Sequence, residues 1–209
     1  VLSFLAGVTD NLRLGTNICV APYRHPLTLT KLAFSLDNLS QGRFELGTAP
    51  GWHKIEYQTL DVPFDERGGR TDEFLRLLTR AQTESEFSFD GEYHSFGQTG
   101  FYPRPVQDSI PIWVGGRSGA SIRRVGQFAD GWTDTSTPTQ VRKHRSRILE
   151  AWDDFDREGE PRIAASQQTY VGANPPDQFD TDSPMVGPPE DIVEDIVEYE
   201  DAGTTRLDL

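Results

Sequence analysis

Gly115-Gly116-Arg117-Ser118 stands where an apolar, β-branched run, "IPIWV" at 110–114, gives way to a helix. Glycine weakens a strand, so a pair at its end marks a bend or a close neighbour. A helix opening at Ser118 offers unpaired N–H groups and the positive end of its dipole. Arg117 can add two parallel hydrogen bonds to a phosphate. The chemistry that these types and spacing point to is anion binding. His53, beside Gly51-Trp52, can act as a general acid or base, hydrogen-bond a substrate, or be an ordinary loop histidine. Trp52 can stack near a substrate or plug the end of the fold. His25, His94 and His144 show no metal-ligand spacing and read as structural or solvent-facing. Cys19 reads as a small buried apolar side chain rather than a nucleophile. Arg123 and Arg124 read as surface residues. Neither a G-x-S-x-G elbow nor a Walker pattern occurs.

Composition narrows the classes. The chain has 209 residues, a length that suits one domain with a sizeable core. Thirty-three acids against 20 bases give a net charge of −13, which argues against a nucleic-acid partner. An acidic surface with only Lys31, Lys54 and Lys143 as lysines resembles that of proteins from salt-loving prokaryotes, where salt screens self-repulsion. No apolar run reaches the length of a membrane span and no signal peptide is visible, so a cytoplasmic location is expected. A single cysteine excludes an internal disulfide.

Strands and helices alternate in a way that can position these residues. "LRLGTNICV" (12–20) is a predicted strand. The segment 25–42 is a predicted helix, proline near its start, Leu29, Leu32, Ala33 and Leu36 inward and Gly42 as its stop. "RFELGT" (43–48) is the next strand, and the helix at 70–82 turns Phe74, Leu77 and Leu78 to one face. An excursion at about 84–109 contains a hairpin around Asp90-Gly91 and a proline-stiffened connector. Alternation resumes with a strand at 110–116, a helix at 118–129 and a strand at 130–134. A helix at 137–155 follows, opened by Thr137 and Pro138, with Val141, Ile148, Trp152 and Phe155 inward. A strand at 162–172, a loop at 174–184, a helix at 188–203 and a last strand in "TTRLDL" complete the chain. Such alternation implies a parallel sheet covered by helices.

Three stretches are particular enough to go further. "LGTNICVAPYRHPLTLTKLAFSLDNLSQGRFELGTAPGWHKIEY" (14–57), "RPVQDSIPIWVGGRSGASIRRVGQFADGW" (104–132) and "VGPPEDIVEDIVEYEDAGTTRLDL" (186–209) together resemble the luciferase-like monooxygenases, flavin- or deazaflavin-dependent oxidoreductases. The resemblance implies a (β/α)8 TIM barrel with its cofactor at the C-terminal mouth of the strands, in line with the general rule for such barrels. Asn17 and Ile18 fall where family members often carry a non-proline cis peptide supporting the flavin ring, and Val20 falls beside it. Ala49, Gly51 and Trp52 match the loop alongside the ring system. Gly115, Gly116, Arg117 and Ser118 match the loop and helix start that line the cofactor's phosphate-bearing tail.

By the same resemblance, "VLSFLAGVTDNLRLG" matches the helix before the family's third strand. The barrel is therefore expected to be incomplete, a single partial domain over 1–209 lacking the first two strands and the last helix. Six strands cannot close an eight-strand barrel, so two exposed edges are expected and this chain alone is expected to be marginal. The implied activity is hydride transfer or monooxygenation of a small organic substrate through coenzyme F420, or alternatively FMN; "VGGRSGASIRR" resembles the F420 branch more closely. The other readings are a non-catalytic remnant or partner subunit and, more remotely, a sugar-phosphate lyase or isomerase. The last would need a Schiff-base lysine or a carboxylate base at a strand end, and the three lysines fall on helices or loops. The resemblance also implies a possible homodimer.

Overall fold

The computed structural model describes residues 1–180 and 183–209. The chain divides into two compact units, Val1–Trp113 and Val114–Leu209, with the boundary inside a strand.

The first unit opens with helix α1 (Leu2–Val8). The expected strand at 12–20 forms as two short pieces, β1 (Leu14–Gly15) and β2 (Cys19–Val20), separated by a bulge. Both pair in parallel with β3 (Phe44–Ala49), Leu14 opposite Phe44 and Val20 opposite Ala49. All six residues of β3 are buried, as expected for a strand covered on both faces. Helix α2 (Pro26–Ser40) begins with proline at its first turn and ends where Gln41 and Gly42 adopt left-handed backbone conformations.

The inward face of α2 differs from the apolar pattern. Leu32 is exposed, whereas Thr30 and Asp37 are buried. Asp37 is drawn inside by hydrogen bonds. Its Oδ2 accepts from the backbone N–H groups of Val106 (2.7 Å) and Gln107 (3.1 Å), and Oδ1 accepts from Gln107 Nε2 at 2.6 Å. A buried carboxylate that anchors a loop in this way outweighs hydrophobic periodicity.

Short helix α3 (Lys54–Thr59) was not expected; it is six residues long and buries only Tyr57. Helix α4 (Arg67–Thr83) starts three residues before the expected 70 and buries Phe74, Leu77 and Leu78 as anticipated. The hairpin forms from antiparallel β4 (Glu86–Asp90) and β5 (Ser95–Gly100). Its connector is tied down by Arg104, which donates to the carbonyls of Gln82 (2.5 Å) and Glu84 (3.0 Å) and also to that of Ala81, satisfying the open end of α4. Strand β6 (Ile112–Gly115) starts in this unit, where Trp113 Nε1 donates to Glu45 at 2.8 Å.

In the second unit, β7 (Gly131–Asp134) and β8 (Arg162–Ser166) pair in parallel, and β11 (Arg206–Asp208) pairs in parallel with β8. Helix α5 (Gly119–Phe128) follows β6, and α6 (Pro138–Asp154) carries the full capping box, Thr137 and Gln140 bonding each other's backbone. Arg124, expected at the surface, is 5% exposed within α5, while Arg123 is exposed. The expected strand at 162–172 breaks after Ser166; Tyr170–Val171 (β9) pairs instead with Val186–Gly187 (β10). The expected loop at 174–184 is irregular through 180, and its residues 181 and 182 lie outside the described set. Helix α7 (Pro189–Asp201) buries Ile192 and Tyr199. Tyr199 is held by its hydroxyl, which donates to the Ser136 carbonyl at 2.9 Å. Among the described residues no helix is long and apolar enough to cross a membrane.

Candidate functional site

In the first unit the candidate residues gather at the C-terminal ends of β2 and β3. The peptide between Asn17 and Ile18 is cis, as the resemblance implies. Three contacts seat this bulge on β3. Thr16 Oγ1 donates to the Gly47 carbonyl at 2.7 Å and accepts from the Gly47 N–H at 3.1 Å. Thr48 Oγ1 donates to the Cys19 carbonyl at 2.9 Å. Gly47 is the residue that sequence reasoning missed here: a Cβ at that position would run into the Thr16 carbonyl oxygen. Its signal was the glycine inside a strand pattern, which marks close backbone approach. Asn17 is left exposed and Ile18 half-buried.

Ala49, opposite Val20 in register, leads into Gly51, whose φ is +72°. A Cβ on Gly51 would stand 2.8 Å from Val20 Cγ1, so glycine is required by both conformation and space. Tyr57, fully buried, donates its hydroxyl to the Pro50 carbonyl and fixes the other side of this loop. Trp52 is 83% exposed, with its ring edge-on to His53 at 5.1 Å between centroids. Trp52 does not plug the fold. His53 is half-buried, and its Nδ1 is buried without a hydrogen-bond partner. Cys19 is half-buried, Arg24 donates to its sulfur at 3.4 Å, and burial pushes the thiol pKa up, which keeps it protonated.

His25 and His94 are more closely engaged than expected. Glu73, fully buried in α4, accepts from the Tyr93 N–H at 3.0 Å and bonds His94 Nδ1 at 2.6 Å. The rings of His25 and His94 meet edge-to-face at 5.0 Å, while His25 Nδ1 caps α2 by accepting from the Leu27 N–H. The arrangement pins the hairpin turn to α4. Among the described residues no group of three potential ligands could hold a metal ion.

In the second unit, Gly116 has a φ of +109°, and a Cβ there would lie 2.9 Å from Ser121 Oγ. The bare backbone at this position is thus required by the local fold itself. The Gly116 carbonyl accepts from Trp132 Nε1 at 2.8 Å. Ser118 is the N-cap of α5, its Oγ accepting from the Ser121 N–H at 3.1 Å. Gly119 and Ala120, in the first turn, have N–H groups with no intrahelical acceptor. Arg117 is half-exposed and pairs through Nε with Asp134 Oδ2 at 2.6 Å. Burial pushes the Asp134 carboxyl pKa up, and the Arg117 guanidinium opposes that shift. Asp134 was also missed from sequence; a carboxylate closing a strand next to β6 was its signal. These donors fit a phosphate.

The two units thus carry the two groups of candidate residues, and comparisons with known proteins place them in context. The family described as luciferase-like monooxygenase matches residues 1–178. An uncharacterised protein of Mycobacterium tuberculosis is 31% identical over 165 residues, covering 78% of this chain and 58% of that protein. The oxygenase component of a flavin-dependent trigonelline monooxygenase from Acinetobacter baylyi is 31% identical over 178 residues, covering 80% of this chain and 48% of that one. This chain therefore spans about half the length of such relatives. The coenzyme F420-dependent tetrahydromethanopterin reductase of Methanopyrus kandleri superposes with a TM-score of 0.82 at 20% identity, over 99% of this chain and 79% of that one. That likeness gives the fold: a mixed α/β, TIM-barrel architecture present here in part. The chain belongs to the luciferase-like monooxygenase family.

Proposed function

We propose that this chain is the cofactor-binding part of an oxidoreductase that uses coenzyme F420 and acts on a small organic substrate. The observation that carries the reading is the Thr16–Ile18 bulge, seated on Gly47 through Thr16 and left with Asn17 exposed at the strand ends. It offers a rigid backbone surface where a planar ring can lie. In the first unit Asn17, Ile18, Val20, Ala49, Gly51 and Trp52 are suited to holding a planar ring, and in the second unit Gly115, Gly116, Arg117 and Ser118 are suited to holding a phosphate.

When bound, F420 supplies a hydride-carrying carbon, so the protein's task is to bind, orient and exclude water. Thr16 and Thr48 hold the bulge in place, and Tyr57 fixes the loop that leads to Trp52. Arg117, aligned by Asp134, presents a fixed guanidinium rather than a floating charge. His53, half-buried with Nδ1 turned inside, is the group we place to accept or donate a proton through its other ring nitrogen, Nε2.

FMN is the second reading, favoured by the flavin-dependent relative from Acinetobacter baylyi, at 31% identity. Equilibrium titration of this chain with F420 and with FMN, in molar salt because of its acidity, separates the two. F420 binding that weakens on Arg117→Ala supports the proposal. Preference for FMN moves the assignment to the monooxygenase branch, and binding of neither leaves a folded chain without the chemistry.

A further inference from the structure

We infer that Arg147, on the third turn of α6, is a second phosphate ligand, so that the anion at the 115–118 loop is clamped between two guanidinium groups. The inference rests on the reading above that this loop receives a phosphate. It adds a residue that lies 30 positions away from Arg117 and on a different element.

Arg147 Nη1 donates to the Arg117 carbonyl at 3.3 Å. Its Nη2 lies 3.8 Å from where a Cβ on Gly119 would be. The guanidinium therefore sits over the first turn of α5, beside the N–H groups that lack intrahelical acceptors. Helical side chains lean toward the N-terminus of their own helix, which is how a third-turn residue reaches this position.

The charges around it do not balance. Arg117, Arg147 and the positive end of α5 converge, and Asp134 is the carboxylate among them, engaged with Arg117 Nε at 2.6 Å. Arg147 forms no ion pair among the described residues. In a chain with 33 acids and 20 bases, an arginine left without a carboxylate beside another arginine is a position that an anion would neutralise. The same cluster contains His144, 7% exposed with Nδ1 unpartnered, in the field of Arg147, Asp134 and Arg117. Burial first, then Arg147, push the His144 pKa down, so it adds no charge of its own at neutral pH. Two arginines and a helix N-terminus suit the phosphate of a cofactor tail, with Arg147 reaching the oxygens that Arg117 leaves open.

The test compares ligands with and without the phosphate: FMN against riboflavin, which differ only by that group, and F420 against its ribityl deazaflavin core, which lacks the whole phosphate-linked tail. Each is titrated into wild type and Arg147→Gln. Loss of a charge-assisted hydrogen bond should weaken the phosphorylated ligand by about tenfold or more and leave the phosphate-free one unchanged. Arg147→Lys should recover part of the loss. Equal weakening of both ligands, or of neither, overturns the assignment. If wild type binds none of the four, the proposed function fails, and inorganic phosphate decides the inference separately. Broadening of its 31P resonance by wild type but not by Arg147→Gln would retain the clamp, and identical spectra would overturn it.

Discussion

Replacing Gly51 with alanine tests how the candidate ring site is built. Gly51 has a φ of +72°, a conformation that costs an L-residue about 1–2 kcal/mol. The new Cβ would also meet Val20 Cγ1 at 2.8 Å and Cγ2 at 3.1 Å. Valine is stiff about χ1, so it cannot swing away without moving β2, and overpacking of this kind costs about 1–3 kcal/mol. Gly51→Ala should therefore lose about 2–5 kcal/mol in urea unfolding, the sum of those two ranges. In a Val20→Ala background the steric part disappears, so the same substitution should then cost only about 1–2 kcal/mol. Gly7→Ala is the control: Gly7 lies inside α1 with nothing within 4 Å of its Cβ, and alanine there should stabilise by about 0.5–1 kcal/mol. Equal costs for Gly51→Ala with and without Val20 would refute the packing argument. A cost below about 0.5 kcal/mol would refute the backbone argument as well.

Three further outcomes follow from the geometry. Gly116→Ala, at φ +109° and 2.9 Å from Ser121 Oγ, should destabilise the start of α5 by about 1–3 kcal/mol, seen as faster amide exchange at 118–121. Glu73→Ala removes the acceptor for Tyr93 N–H and the partner of His94, so limited proteolysis should cut the 91–94 turn at least about tenfold faster; an unchanged rate would deny that Glu73 pins the hairpin. Burial depresses the pKa values of His25 and His144, with His94 and Arg147 adding to the respective shifts. The unfolded chain therefore binds more protons than the folded one below about pH 6.5, and stability present above that pH is lost as the pH falls. The urea midpoint should drop between pH 7.5 and 5.5, and His144→Phe should flatten the drop.

Local signals made much of the fold legible. Thr137-Pro138 with Gln140, Pro26 with Gly42, and Asp90-Gly91 each announce a boundary through their own backbone chemistry, and each boundary forms within a few residues of where it was expected. What escaped depends on partners distant in sequence. Asp37 is buried because Val106 and Gln107 hold it, while Leu32 on the same helix is exposed. Helix α3 buries one side chain, too few for a periodicity to show. Gly68 and Gly69 hide the first turn of α4. At the candidate site, the glycines and the bulge were visible by type and by resemblance. Asp134 and Gly47 carried only weak signals in the sequence, and their partners, like Arg147's, became visible when neighbouring strands and helices were brought together.

The central claim is that this chain binds a deazaflavin or flavin cofactor, and hydrogen exchange with and without F420 tests it most directly. The account predicts slowed amide exchange at 16–21, 49–52 and 115–120, with little change in the 86–100 hairpin. Exchange unaltered in all three stretches at saturating F420 and FMN, or protection confined to other segments, would contradict it.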